Sequence, residues 1–443
     1  MLRNPCAALM RALICVGALL ISTAWAADAS DAFTGKWNVT MTYGADTASA
    51  VLELTEKDGK IEGSSGPLDV GGHMQLTYVG TLKGTRLTLA ATGWGSATVG
   101  ALDVGIKNKQ LVGKGMLFGG PVTVLGVRPD NSAREPKTYD FVPKSYITTL
   151  SSRHEPVLHI YPGDSVKTTT IDASGQDGAL QFVGMPGNPH TGPFFIEGAM
   201  PGDTLVVHLT RVRVNSKRAE MVCSELNANA LPGWAQPKDK DKCDWNWTLD
   251  AENNIGKPTT PSTKLKNFKV PLRPMVGSIG VAPPSNQAIT ASDLGLHGGN
   301  LDYNRIVEGV TLYLPVFRAG ALFSLGDGHA AQGDGEITGQ GLEVPLAVEF
   351  KVDLIKGKRM LFPWAEDAEY VMFTGIGNSI DNALQAATAG ISDWLKDRYG
   401  LDQSDIATVL GTSIEYDIAE IVDPRPHVVA KLRKDILAQI SEP

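Results

Sequence analysis

Residues 321–336 read Ala-Leu-Phe-Ser-Leu-Gly-Asp-Gly-His-Ala-Ala-Gln-Gly-Asp-Gly-Glu, placing one His, three acids and four glycines behind an apolar start. Such side chains move protons or bind metal ions, and so dense a set on glycine-rich backbone is hard to explain as scaffolding. Ala321 to Leu325 is expected to order as a buried strand, while Gly326, Gly328, Gly333 and Gly335 permit the backbone freedom of a cupped site. In an extended chain Asp327 and His329 point to one side, as do Asp334 and Glu336. Two donor pairs then converge on one metal ion, or one pair holds a metal while the other handles protons. The plain alternative is a glycine-rich turn with solvated acids.

The elements that must position this segment are mainly β. Val157 to Tyr161, Leu180 to Val183, Phe194 to Glu197, Thr204 to Leu209, Val310 to Val316 and Val344 to Leu354 are β-prone runs bounded by Pro-Gly-Asp or Gly turns. From Ser379 to Tyr399, Ile380, Leu384, Ala387, Ile391, Trp394 and Leu395 recur at helical spacing, with Gly400 as a stop; Trp394 reads most simply as core. A second helix is expected over Asp402 to Leu410. Ahead of all this, Phe33 to Arg128 alternates short β-prone runs with turns such as Lys57-Asp58-Gly59-Lys60 and Leu82-Lys83-Gly84-Thr85. That texture predicts a small antiparallel barrel or sandwich over residues 27–130, a linker from Pro129 to Pro136, and a larger domain over residues 138–443.

Residues 1–26 carry the features of a signal peptide. Arg3 and Arg11 precede the apolar run Ala12 to Ile21, and Ala24-Trp25-Ala26 offers a small-x-small cleavage pattern. The expected product is periplasmic or secreted, and no other stretch approaches the roughly 20 apolar residues of a membrane span. The formal net charge is −8, more negative once those arginines are removed, so nucleic acid and anionic membranes are poor partners. Cys223 and Cys243 remain after cleavage, and an oxidising compartment favours a disulfide between them, stapling an irregular surface excursion.

Across residues 135–440 a set of motifs accumulates in order: Pro162-Gly163-Asp164, Thr170-Ile171-Asp172-Ala173, Asn188-Pro189-His190-Thr191-Gly192-Pro193, Ile196-Glu197-Gly198-Ala199-Met200-Pro201-Gly202-Asp203, Gly280-Val281-Ala282-Pro283, His297-Gly298-Gly299-Asn300-Leu301-Asp302, Leu312-Tyr313-Leu314-Pro315, and Gly320 through Glu336. In these motifs the sequence resembles the acetamidase/formamidase hydrolases. The resemblance implies hydrolysis of a small carboxamide to carboxylate and ammonia, in a mainly-β, jelly-roll-like fold assisted in some members by a divalent metal. The N-terminal β domain and the segment after Cys223 are additions to that pattern. A homo-oligomer is expected by analogy alone.

Amide hydrolysis needs an activated water, a polarised carbonyl and a proton for the departing nitrogen. His297, His329, Asp172 and Asp302 form the expected ligand pool, with zinc favoured by the mixed His and carboxylate donors. Glu336 is the expected general base and proton shuttle, with Asp334 or Asp327 as second choice. His190, Thr191, Gly298, Gly299 and Asn300 are expected to line the substrate pocket, His190 without touching metal. Asp172 and Asp302 serve equally well as turn caps. Two other readings compete: a periplasmic binding or scaffold protein on the same fold, and an amidase that uses Cys223 as nucleophile.

Overall fold

The computed structural model describes residues 30–68, 74–130, 134–223, 225–236, 244–358 and 360–441. The expected signal segment, the charge run from Lys238 to Lys242, and Cys243 lie outside them. The chain divides into two compact units after residue 132. Among the described residues no helix is long and apolar enough to cross a membrane.

The first unit is a closed antiparallel barrel of Gly35–Tyr43, Asp46–Lys57, Lys60–Ser65, Thr77–Lys83, Arg86–Gly93, Ala97–Lys107, Gln110–Leu117 and Gly120–Val127, the last pairing back to the first. Alternation sends Trp37, Val39 and Met41 inward to meet Leu52, Leu54 and Tyr78. At Asp58 (φ 52°) and Gly59 (φ 74°) both central turn residues are left-handed, which matches the twist of the flanking strands. Ala97–Lys107 escapes a sequence reading because Gly100, Asp103 and Gly105 interrupt its apolar pattern; pairing on both sides orders it.

The second unit is built on two facing sheets. One has the order Leu158–Ile160, His190–Ile196, Phe323–His329, Met275–Gly280, Gly298–Asn300, Leu294–Gly295. The nine-stranded sheet runs Glu415–Glu420, His427–Arg433, Tyr370–Ile376, Trp364–Glu366, Thr311–Pro315, Thr204–Val214, Leu346–Ile355, Ser165–Thr169, Thr138–Asp140. Phe350 of the second meets Phe194 and Phe323 of the first edge-on, with centroids 5.3 and 5.1 Å apart, at the heart of a core spanning both sheets. The protein is therefore mainly β, as its composition of short β-prone runs led us to expect.

Helix Ile380–Tyr399 covers the outer face of the nine-stranded sheet through Ala387, Ile391 and Leu395, which pack on Val371 and Phe373. Ser379 accepts from Asn382 N at its start, and Gly400 (φ 68°) ends it. A shorter helix, Gln403–Ser413, begins at the capping carboxylate of Asp402. Trp394 is half-buried, packs against the core under this long helix as expected, and also lines a cavity. Leu180 to Val183 forms no strand, because Asp172 and Asp177 each draw neighbouring backbone N–H groups into local turns that leave Phe182 exposed.

Candidate active site

Phe323–His329 runs through the middle of its sheet, flanked by His190–Ile196 and Met275–Gly280, and every residue in it is buried. Beyond it the chain folds back: His329 bridges to Glu343, and Gly335 pairs in parallel with Glu420. These long-range pairings gather the acids. Three sets of donor atoms each fall within 4.8 Å of one another: Asp302, Asp327 and His329; His329, Glu336 and Glu343; Asp302, Glu336 and Asp423. Asp302, Asp327, Glu336, Glu343 and Glu420 are buried, and Asp423 is partly so. Asp302 (φ 38°), Asp327 (φ 54°) and Glu336 (φ 46°) adopt left-handed backbone that costs a non-Gly residue on the order of 1–3 kcal/mol. Such strain recurs where function needs a particular side-chain direction.

The hydrogen bonds follow one pattern. Asp302 Oδ2 accepts from Asn300 Nδ2, and Asp327 Oδ2 accepts from Asn188 Nδ2 at 2.9 Å, yet each Oδ1 has no partner. Glu420 Oε2 accepts from the N–H groups of Val422 and Asp423, and its Oε1 is free. Glu343 Oε1 lies 3.2 Å from His329 Nε2, while its Oε2 is free. A buried carboxylate oxygen without a hydrogen bond is costly, so four of them in one region, two facing His329 at 3.6 and 3.8 Å, fit a cation-binding site. The Asn188 amide also donates to Asn300 Oδ1 at 2.8 Å, tying the anchors together.

Electrostatics agree. Burial, reinforced by neighbouring carboxylates, lifts Asp302 and Glu336 well above the usual carboxylate range. Burial raises Glu343 to about 7 despite His329, raises Glu420 to about 8 with help from Asp423, and raises Asp423 to about 6. Burial pulls His329 down, but Glu343 and Asp327 together push it well above its ordinary value. A metal ion would supply the positive charge that this imidazole otherwise takes up as a proton. Gln332 Oε1, 2.8 Å from His329 Nδ1, accepts that N–H and leaves Nε2 for a ligand.

Of the expected residues, the fold thus brings together Asp302, Asp327, His329 and Glu336, with Asn300 as an anchor. Asp172 belongs to none of these sets, its Oδ1 accepting from Ser174 and Gln176 in its own turn, although its charge reaches Glu343. His297 is buried with an unpartnered Nε2 and belongs to none of the donor sets; burial, then Arg425, lowers it to about 4. Asp334 is exposed and accepts from Asn304 Nδ2, because left-handed Gly335 and Glu336 turn the chain between it and the buried Glu336. The expected pairing of Asp334 with Glu336 on one side is therefore not formed.

His190 makes no free offer to a ligand. Ser278 Oγ donates to Ala291 O and so accepts from His190 Nε2, which leaves His190 Nδ1 to accept from Ser324 Oγ. The hydroxyl of Thr191 is donated to Thr169 O. Gly298 and Gly299 carry positive φ, and a Cβ at either would strike the main-chain carbonyl of Ile279 or Asp293. Cys223 lies beside Asp244, and its expected partner Cys243 is outside the described residues. Sequence reasoning missed Glu343, Glu420, Asp423 and Gln332. A lone acid inside an apolar run, as in Leu342-Glu343-Val344 and Ala419-Glu420-Ile421, was the available signal.

Residues 285–439 match the model of the Acetamidase/Formamidase family. A formamidase of Methylophilus methylotrophus is 33% identical over 153 residues, and an acetamidase of Mycolicibacterium smegmatis is 34% identical over 157. Over this stretch the chain is similar to the acetamidase/formamidase family. Those two alignments take in 29% and 30% of this chain and span only 36% and 38% of the relatives' own lengths. Solved structures extend the likeness across the second unit. The acetamidase of Yersinia enterocolitica superposes with a TM-score of 0.60 at 29% identity, covering 70% of this chain and 96% of that one. The acetamidase of Bacillus halodurans gives 0.58 at 28% identity, covering 68% and 99%.

Proposed function

We propose that this protein hydrolyses a small carboxamide, of the formamide or acetamide class, to carboxylate and ammonia using metal-activated water. The observation that carries this reading is the acid cluster around His329, in which four buried carboxylates each keep one oxygen without a partner. The names of the relatives supply the substrate class.

Asp302, Asp327 and His329 would hold the ion, a mixed donor set that suits zinc; the all-oxygen set of Asp302, Glu336 and Asp423 is of the kind magnesium or calcium prefers. Bound there, a divalent ion polarises the carbonyl and lowers the pKa of bound water to about 7. Gln332 keeps the proton of His329 on Nδ1, and Asn188 and Asn300 fix the ligand carboxylates. Glu336, buried against Asp302 and ionised once a cation offsets the neighbouring carboxylates, takes the proton of the attacking water and returns it to the leaving nitrogen. The C–O bond forms, the C–N bond breaks, ammonia departs neutral, and the carboxylic acid left behind gives its remaining proton to solvent.

Export belongs to the same proposal, on the strength of the Arg3, Arg11 and Ala24-Trp25-Ala26 pattern. N-terminal sequencing of the protein from its native compartment should begin at Ala27. The function itself is tested by ammonia release from formamide, acetamide, propionamide and bulkier amides, with and without chelator and added zinc. Metal-dependent release is expected. Silence across the panel in folded, metal-loaded protein would favour the binding or scaffold reading.

A further inference from the structure

Between helix Ile380–Tyr399 and the outer face of the nine-stranded sheet lies a cavity of about 320 Å³. That is the lower end of the roughly 300–1,000 Å³ typical of small-molecule sites. No residue that lines it belongs to the acid cluster. Strand alternation places it on the far side of the sheet from the inter-sheet core: Leu312, Leu314 and Met372 face that core, whereas Tyr313 and Phe373 face the helix.

One wall is rigid before any ligand arrives. The Trp364 ring stacks on Tyr313 at 3.8 Å with planes 1° apart, and on Phe373 at 5.3 Å with planes 5° apart. Tyr313 Oη donates to Glu366 Oε1 at 2.5 Å, and Glu366 is held by Lys434 Nζ at 2.6 Å. Trp394, tilted 52° to Trp364, faces the same space from the helix. Aromatic walls already fixed in place spare a ligand the entropy of ordering them.

Gly390 opens the cavity. In a helix interior Gly costs about 1 kcal/mol relative to Ala. Packing does not require it, since a Cβ there would meet Phe373 Cδ1 at an ordinary 3.5 Å. What the missing side chain leaves is room. At the rim stand Asp393 and Asp397, one helical turn apart and exposed, with no ion pair among the described residues; Lys358 is the one cation among the described lining residues. Arg398 and Lys434 line the adjoining space, Lys434 held by Glu366 and Arg398 over Tyr399, so the two carboxylates at this rim favour a cationic guest.

We propose that this cavity is a second small-molecule site that takes an aryl-alkylamine. The ring packs against Trp394 and the edge of Trp364, whose faces Tyr313 and Phe373 already cover, and the ammonium lies at the rim beside Asp393 and Asp397, within reach of the Trp394 face. This goes beyond amide hydrolysis and stands or falls without it.

The test is calorimetric titration of full-length, zinc-loaded protein with 2-phenylethylamine, 2-phenylethanol and phenylacetate. Saturable one-to-one binding of the amine is expected, with the alcohol weaker by roughly fivefold and the acid weaker still. Gly390→Leu, with unchanged circular dichroism, should weaken the amine by about tenfold or more; Ala389→Leu, which fills the same space, provides a second variant should the first misfold. Asp393→Asn with Asp397→Asn should erase the preference for amine over alcohol. Absence of saturable binding, or amine binding that persists in both filled variants, overturns the site. Equal affinity for amine and alcohol in the native protein overturns the choice of a cation.

Discussion

Gln332 Oε1 accepts from His329 Nδ1 at 2.8 Å, while Gln332 Nε2 donates to Asp302 O at 2.6 Å and to Ala419 O. The amide therefore cannot turn without losing main-chain partners, and it fixes one imidazole tautomer. In Gln332→Leu, metal affinity measured by competition with a chromophoric chelator should fall roughly 10–100-fold, the range for losing such a partner. Unchanged affinity would mean that His329 is not a ligand through Nε2.

Glu336→Gln separates proton transfer from metal binding. The amide is isosteric but cannot act as a base, so turnover should drop by roughly 10² or more while metal content, read by atomic absorption, stays level. Loss of the metal together with activity would make Glu336 a ligand.

Gly277 illustrates how closely the backbone is fitted to the site. A Cβ there would stand 2.4 Å from Asp302 Oδ1 and 3.0 Å from Asp327 Oδ2. Gly277→Ala should cost about 1–3 kcal/mol of stability by overpacking and displace both carboxylates, weakening metal binding at least about tenfold. Gly411→Ala, in a helix with open space at its Cβ, is the control and should be neutral or stabilising by up to about 1 kcal/mol.

Removing metal should make the protein alkali-sensitive. Glu343 at about 7 and Glu420 at about 8 hold their protons more tightly folded than unfolded, where 4.5 is ordinary. The folded state thus binds more protons between pH 4.5 and 8, and the stability of the chelated protein falls as pH rises through that window. Calorimetry should find the gain in Tm on adding zinc larger at pH 8 than at pH 5; an equal gain would show that the cluster is not where the ion binds.

His190 acts in the opposite direction. Buried and neutral between Ser278 and Ser324, it titrates near 4 when folded against 6.5 when unfolded, mainly through burial. The unfolded chain takes the proton first, so stability is lost as pH falls from 6.5 to 4. Denaturant melts of His190→Gln across that range should show a shallower acid slope than the native protein, by up to one proton. An identical slope would remove His190 from the account.

Much of the architecture was legible because it depends on local rules. Period-two alternation marked most barrel strands, Ser379 and Gly400 bracketed the long helix, and glycines flanking Asp327 and His329 announced a cupped site. Asp302, Asp327, His329 and Glu336 could be named from their segments alone. Asp172 and Asp334 looked equivalent to them on the page, since type and spacing do not report whether an acid spends its oxygens on its own turn or on a distant partner.

Residue types and spacing thus set the mainly-β class, the hydrolase resemblance and half of the acid cluster. Tertiary structure decided which acids meet. Glu343 and Glu420 reach His329 and Gly335 only through strand pairings that are invisible until the chain folds back, and Glu336 parts from Asp334 because two successive left-handed residues lie at that turn. Burial then did what composition cannot: by excluding water it turned ordinary carboxylates into groups that hold protons near neutrality and leave oxygens free for a cation.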